Sequence, residues 1–312
     1  MMHRGRLLHG SGAIPFCTKG TKNMRSEQEM MTMILDTARA DERIRAVGMN
    51  GSRTNPDAPR DIFQDYDIVY FVTDMQPFLA DPSWVDCFGK RLIMQMPEGM
   101  SLFPPELGGR FSYLMQFEDG NRIDLTLAPL SDIAQYTHED SLTKILLDKD
   151  GRFPALPPPD DRDYHVKRPD ESCFQDCCCE FLWTVCYVAK GIWRDEFLYA
   201  AYHLDRCVRE MLLLMLSWQV GTQTAFAVST GKCGKYLKRY LPDETMQRLK
   251  QTYRCGTVQE LWQALYLCME LFRESGSCTA KALGYRFPSE DWERIMKYLQ
   301  AVERLPRDAK SF

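Results

Sequence analysis

Asn50-Gly51-Ser52-Arg53, followed after a loop by Asp65-Tyr66-Asp67-Ile68-Val69-Tyr70-Phe71-Val72, is the stretch on which the fold turns. Ile44 to Met49 is a short apolar run that reads as a strand, and it leads straight into the Gly51-Ser52 turn. Residues 54–64 are rich in Asn, Pro and Asp and read as a loop. Asp65 to Val72 reads as a second strand. Side chains alternate across a strand, so Asp65 and Asp67 project together while Tyr66 and Ile68 face the other way. Two carboxylates that close repel each other. A half-buried strand has little reason to carry such a pair without a cation between them, and Mg²⁺ prefers carboxylate oxygens plus substrate phosphates.

Arg122-Ile123-Asp124-Leu125-Thr126-Leu127 adds a third acid inside an apolar alternation. Ile123, Leu125 and Leu127 share one face, so Asp124 and Thr126 share the other. Asp124 on a strand beside Asp65 and Asp67 completes an acidic triangle of the kind that bridges a triphosphate during an in-line displacement. Gly51 permits an unusual dihedral and close approach of backbone to phosphate. Ser52 adds a hydroxyl and an N–H of the kind that meets phosphates at a helix start or nest. Taken alone, an Asp-x-Asp usually marks a solvated strand end and Gly-Ser says less still. The ordered set of strand, Gly-Ser turn, Asp-x-Asp strand and Asp-bearing apolar strand is far more specific.

Outward from this core, residues 27–40 form an amphipathic helix pattern through Met30, Met31, Ile34, Leu35 and Ala38, opened by a Ser26-x-x-Glu29 capping box. Pro82 to Phe88 reads as helix and Arg91 to Gln95 as strand. Phe111 to Phe117 and Arg122 to Leu127 flank Glu118-Asp119-Gly120-Asn121 as a hairpin, and residues 130–148 read as helix. The first half is therefore α/β or α+β with a mixed sheet. Pro157-Pro158-Pro159 interrupts every regular pattern. Beyond it, Phe197, Ala201, Leu204, Val208, Met211 and Met215 recur at steps of four and three along what reads as one long helix. Thr257-x-x-Glu260 opens another helix through Leu271, and Trp292, Ile295, Met296 and Leu299 mark a third, so the second half reads as an all-α helical bundle. The expected organisation is a leader at 1–23, an α/β domain at 24–153, a linker at 154–170, a helical domain at 171–305 and a tail at 306–312.

Composition narrows the classes. The 312 residues are 45% hydrophobic and 12% aromatic, enough for a sizeable core. A formal charge of −4 lacks the basic footprint of a nucleic-acid enzyme, so no nucleic-acid partner is expected. The longest apolar run, Met211 to Leu216, is too short to span a bilayer, and residues 1–23 lack a signal-peptide core. The expected location is the cytoplasm. The 12 cysteines, three of them consecutive at Cys177-Cys178-Cys179, suit neither disulfide nor zinc spacing and read as reduced core thiols.

That ordered set resembles the DNA polymerase beta-like nucleotidyltransferases, and the resemblance is narrowed by Gly51-Ser52-Arg53-Thr54-Asn55, Phe63-Gln64-Asp65-Tyr66-Asp67, Phe103-Pro104-Pro105-Glu106-Leu107, Ile123-Asp124-Leu125-Thr126-Leu127 and Asp163-Tyr164-His165-Val166. Within that superfamily they look like the aminoglycoside 6-adenylyltransferases, the streptomycin-modifying group. Asp176-Cys177-Cys178, Tyr187-Val188-Ala189-Lys190-Gly191 and Gly231-Lys232 look similar too, so the resemblance runs from Met24 to about residue 305. It implies an N-terminal nucleotidyltransferase domain, a C-terminal helical domain, ATP as AMP donor and a cationic aminoglycoside as acceptor. It implies that Asp65 and Asp67 bind metal, with Asp124 as metal ligand, general base or both.

It also implies a lysine of the second domain on the nucleotide phosphates, for which Lys232 is the candidate and Lys235 the understudy, beside the reading of an exposed helix-start lysine. Gly51, Ser52 and Arg53 are candidates on the nucleotide side, with a surface role for Arg53 left open. Guanidinium groups of an acceptor pair with carboxylates and stack on rings. Trp193, Asp195, Glu196, Tyr199, Asp205 and the Glu118-Asp119 turn offer such groups, although a solvated helix face explains the acids too. A protein or RNA acceptor, and an inactive nucleotide sensor, are the competing readings.

Overall fold

A computed structural model describes residues 23–312, which divide into two compact units meeting in sequence at Asp160 and Asp161. Residues 1–22 of the expected leader lie outside the described residues.

The first unit begins with helix α1 (Glu27–Ala40), and a short helix α2 (Gln76–Ala80) comes later in its chain. Ser26 caps α1 with the reciprocal box its sequence announces, Ser26 N–H donating to Glu29 Oε2 at 2.7 Å and Glu29 N–H to Ser26 Oγ at 3.3 Å. Six strands follow: β1 (Ile44–Asn50), β2 (Tyr66–Val72), β3 (Arg91–Gln95), β4 (Phe111–Phe117), β5 (Arg122–Pro129) and β6 (Lys144–Asp148). They form one mixed sheet in the order β3-β4-β5-β2-β1-β6, in which β2 and β5 are parallel and every other pair is antiparallel. The β4–β5 hairpin turns at Glu118–Asn121, and Arg25 ties that turn to the start of α1 through Asp119 at 2.5 Å.

Alternation along the strands sorts the residues onto two faces. Tyr66, Ile68, Tyr70, Val72, Ile123, Leu125 and Leu127 join Met30, Ile34 and Ala38 of α1 in the main core. A bulge between Ile44 and Ala46 lets Ile44, Val47 and Met49 of β1 face the same core. The opposite face carries Ala46, Val69, Phe71 and Ala128 under helix α3 (Ile133–Glu139).

Two expectations need correction here. Residues 130–148 are not one helix: α3 ends at Glu139, and Lys144-Ile145-Leu146-Leu147-Asp148 is the edge strand β6 on β1. Periodicity cannot separate a short apolar strand from a helix end, and the free edge of β1 supplies the hydrogen bonds that make it a strand. Pro82–Phe88 is a 3₁₀ segment, begun by Pro82 and closed by Gly89 at φ +111°.

The second unit is helical: α4 (Glu171–Trp193), α5 (Phe197–His203), α6 (Arg209–Gln223), α7 (Asp243–Gln251), α8 (Val258–Leu283) and α9 (Ser289–Arg304). The expected single helix through residues 197–215 is broken into α5 and α6 by a π turn at Leu204–Val208. From Ala200 to Leu212 its fully buried positions, Ala200, Leu204, Val208 and Leu212, are spaced by four, before Met215 resumes a step of three. Such spacing drifts around a 3.6-residue helix, and one wider turn absorbs the drift. Helix α8 outruns the expected end at Leu271 and stops at Gly284, φ +77°. The tail is tied back, with Arg307 Nη1 donating to the Ile192 carbonyl at 2.8 Å and the Phe312 ring against Tyr298. Among the described residues every cysteine is a free thiol, with Cys177 and Cys178 buried and Cys179 exposed. No helix of the described residues is long and apolar enough to cross a membrane.

Candidate active site

The acidic edge is built by strand register. Asp67 of β2 pairs with Asn50 of β1 on one side and with Asp124 of the parallel strand β5 on the other. Register partners on adjacent strands point to the same face, so Asn50, Asp67 and Asp124 form a row across three strands. That row lies on the α3 face, two residues along each strand from Gly48, Val69 and Thr126. Asp65 stands one residue before β2, on the same side as Asp67.

The Gly51 bend fits against this row. Gly51 has φ +74°, a conformation that L side chains seldom adopt, and a β-carbon there would collide with Oδ2 of Asp67. Gly51–Arg53 forms one 3₁₀ turn, closed by Thr54 N–H on the Gly51 carbonyl at 3.2 Å. Ser52 is partly buried, and its carbonyl accepts from Gln64 Nε2 at 3.3 Å. Arg53 closes the neck of the 54–65 loop: it donates to the carbonyls of Asp65 at 3.1 Å and Gln64 at 2.8 Å, and its guanidinium lies 3.7 Å over the Tyr66 ring. Buried in this way, Arg53 holds the entry to β2 and with it the position of Asp65. Asn50 is fixed from both sides, donating to Thr143 Oγ1 at 2.8 Å and accepting from the Tyr136 hydroxyl at 2.6 Å.

The electrostatics follow from that crowding. Burial, then the charges of Asp124 and Asp65, push the Asp67 carboxyl up to about 6. Burial also raises Asp65, against the pull of Arg122. Arg122 forks onto Asp124, with Nε and Nη2 each 2.8 Å from a carboxylate oxygen, and its Nε lies 3.5 Å from Oδ2 of Asp65. Among the described residues no hydrogen bond reaches the Asp67 carboxylate, and no three His, Cys, Asp or Glu side chains stand as a ready metal cage. The donor chemistry still fits a hard dication: acidic oxygens from two neighbouring strands, one carboxyl raised by burial and then by its like-charged neighbours. Asp65, Asp67 and Asp124 are the residues that would hold it.

Arg122 and Asn50 are the residues that sequence reading missed. Arg122 had a local signal, since it precedes Asp124 by two on one strand and so shares its face. Asn50 had none, because its place opposite Asp67 depends on pairing with β2.

Lys232 belongs to the second unit. It is exposed on a 3₁₀ turn (Lys232–Gly234) between Gly231 at φ +72° and Cys233 at φ +56°, and its amine has no ion-pair partner among the described residues. Beside that turn, a cavity of about 520 Å³ is lined in part by Asp205, Ser217, Thr230 and Gly231. The suggested acceptor-side groups are largely engaged: Asp119 with Arg25, Asp205 with Arg209 and Trp193 Nε1 with the Leu305 carbonyl.

A mixed sheet with an Asp-x-Asp strand, a glycine bend and a third Asp on the adjoining parallel strand describes a nucleotidyltransferase, and the relatives named below are enzymes of that kind. A family model described as Streptomycin adenylyltransferase matches residues 24–302, and the chain belongs to that family. An aminoglycoside 6-adenylyltransferase of Bacillus subtilis (strain 168) is 47% identical over 280 residues, 89% of this chain and 98% of that protein. One from Campylobacter jejuni is 48% identical over 276 residues, 88% of this chain and 95% of that one. A solved structure of an aminoglycoside 6-adenyltransferase from Bacillus subtilis aligns at 43% identity over 90% of this chain and 100% of that chain, with a TM-score of 0.46.

Proposed function

We propose that the chain adenylylates an aminoglycoside, moving AMP from ATP to the 6-hydroxyl of streptomycin with Mg²⁺ and releasing pyrophosphate, and so inactivates the antibiotic. The relatives at 47% and 48% identity, both named aminoglycoside 6-adenylyltransferases, support the acceptor class. The single observation that carries the chemistry is the register pairing of Asp67 with Asp124 on parallel strands.

In this reading Asp65 and Asp67 hold the cation, which when bound neutralises triphosphate oxygens and favours in-line displacement. Asp124 takes the proton of the attacking hydroxyl. A new bond forms between that oxygen and the α-phosphorus, the α–β anhydride bond breaks, and pyrophosphate leaves. Gly51 and Ser52 let the backbone close on the phosphates. Arg53 acts as a positioning residue, through the Asp65 carbonyl and the Tyr66 ring.

The test is mass spectrometry of ATP, Mg²⁺ and a panel of aminoglycosides incubated with the protein. Addition of one AMP to streptomycin, with pyrophosphate released, is the expected result. No adduct on any aminoglycoside, or an adduct on a protein or RNA acceptor instead, overturns it.

A further inference from the structure

We propose that Arg122 is a built-in counter-cation of the acidic edge, which a divalent ion displaces and which then turns to the phosphates of the nucleotide. This rests on the function proposed above. Arg122 and Asp124 lie two residues apart on β5, so the guanidinium reaches its carboxylate without leaving the face. Both oxygens of Asp124 are engaged at 2.8 Å, a fork-to-fork geometry, while the same Nε lies 3.5 Å from Asp65. One positive group thus spans carboxylates from two parts of the site.

Its neutralisation is incomplete. Asp67, the carboxylate between those two in the fold, receives no hydrogen bond among the described residues. One guanidinium cannot balance three carboxylates, and a small dication placed among their oxygens balances them better. Arg122 can give way because its side chain is 40% exposed and is not packed into the core. It stays charged when displaced, and its planar donors match phosphate oxygens.

The test compares the full-length wild type with R122Q and R122K. Mn²⁺ binding is read by the electron paramagnetic resonance of the free ion without nucleotide, and ATP binding is then titrated at saturating Mn²⁺ without an acceptor. R122Q is expected to bind Mn²⁺ about three- to fivefold more tightly, the size of an exposed ion pair. It is expected to bind ATP about tenfold more weakly, as for loss of a charge-assisted phosphate contact, with R122K between. Unchanged or weaker Mn²⁺ binding in R122Q, with R122K folded and behaving alike, overturns the counter-cation. Tighter Mn²⁺ binding with unchanged ATP binding overturns the phosphate step alone. A wild type that binds no Mn²⁺ with or without ATP sinks the metal reading of the proposed function, and this inference with it.

Discussion

One face of the sheet in the first unit is used in two opposite ways. Toward α3 it carries Ala46, Val69, Phe71 and Ala128, packed under Ile133 and Tyr136. Two to four residues along the same strands it carries Asn50, Asp67 and Asp124, with Asp65 beside them. The first end shows ordinary burial: Phe71 meets the Tyr136 and Phe153 rings edge-on at 5.0 and 5.3 Å. The second end places like charges on half-buried strands, which costs folding free energy. The two ends together show a sheet held by packing at one end while its other end keeps a strained, chemically useful charge arrangement.

Substitutions separate the two ends, and the largest effect belongs to the acidic one. Asp67→Asn is expected to lower adenylylation by about 10³-fold or more, about 4 kcal/mol of barrier, through loss of a charged ligand. The same change should stabilise the metal-free fold. The Asp67 carboxyl sits near 6 against an ordinary 3.8, so the folded chain binds that proton more tightly than the unfolded chain. Stability therefore falls as pH rises between those values, and the full cost is present at pH 7.5. Thermal unfolding without metal should show Asp67→Asn more stable than wild type by about 1–2 kcal/mol at pH 7.5, with the gap closing below about pH 4. A variant less stable at both pH values would mean that the charge is not costly.

Phe71→Ala, at the packed end, should cost about 3 kcal/mol of stability by leaving a cavity. Specific activity of the folded fraction should stay within about twofold of wild type, since Phe71 belongs to the apolar cluster under α3. A large loss of turnover with the fold intact would erase the division between the two ends.

Gly51→Ala comes next. The left-handed φ and the clash with Asp67 should cost about 1 kcal/mol of stability and about tenfold in turnover. Retained turnover would show that the bend does not set the Asp67 carboxylate. Tyr136→Phe is the smallest change. Its hydroxyl spans the two ends by donating to Asn50, and its loss should cost about 1 kcal/mol in chemical denaturation. A neutral result would show that Asn50 needs no anchor.

How much of this was legible in the sequence follows the range of the forces involved. Alternation is local, so β3 and β4 fell where their apolar runs begin and end, and Asp-x-Asp shared a face as any strand requires. The Ser26 capping box is likewise a four-residue signal. The β6 strand was not legible because only the edge of β1 makes it one. The π turn was hidden because steps of three and four fit an unbroken helix until the buried set is known. At the site, the three carboxylates and their triangle could be named, but not the register that sets them or the groups that flank them. The Asp67–Asp124 pairing is long-range, and Asn50 and Tyr136 enter only through that pairing and the packing of α3.

The most direct measurement is a crystal structure grown with Mn²⁺ and a non-hydrolysable ATP analogue, with data collected at the manganese edge. An anomalous peak is expected about 2.0–2.3 Å from oxygens of Asp65 and Asp67, with Asp124 beside it and the Arg122 fork released. A peak elsewhere, or no peak with Arg122 still forked onto Asp124, would contradict that expectation.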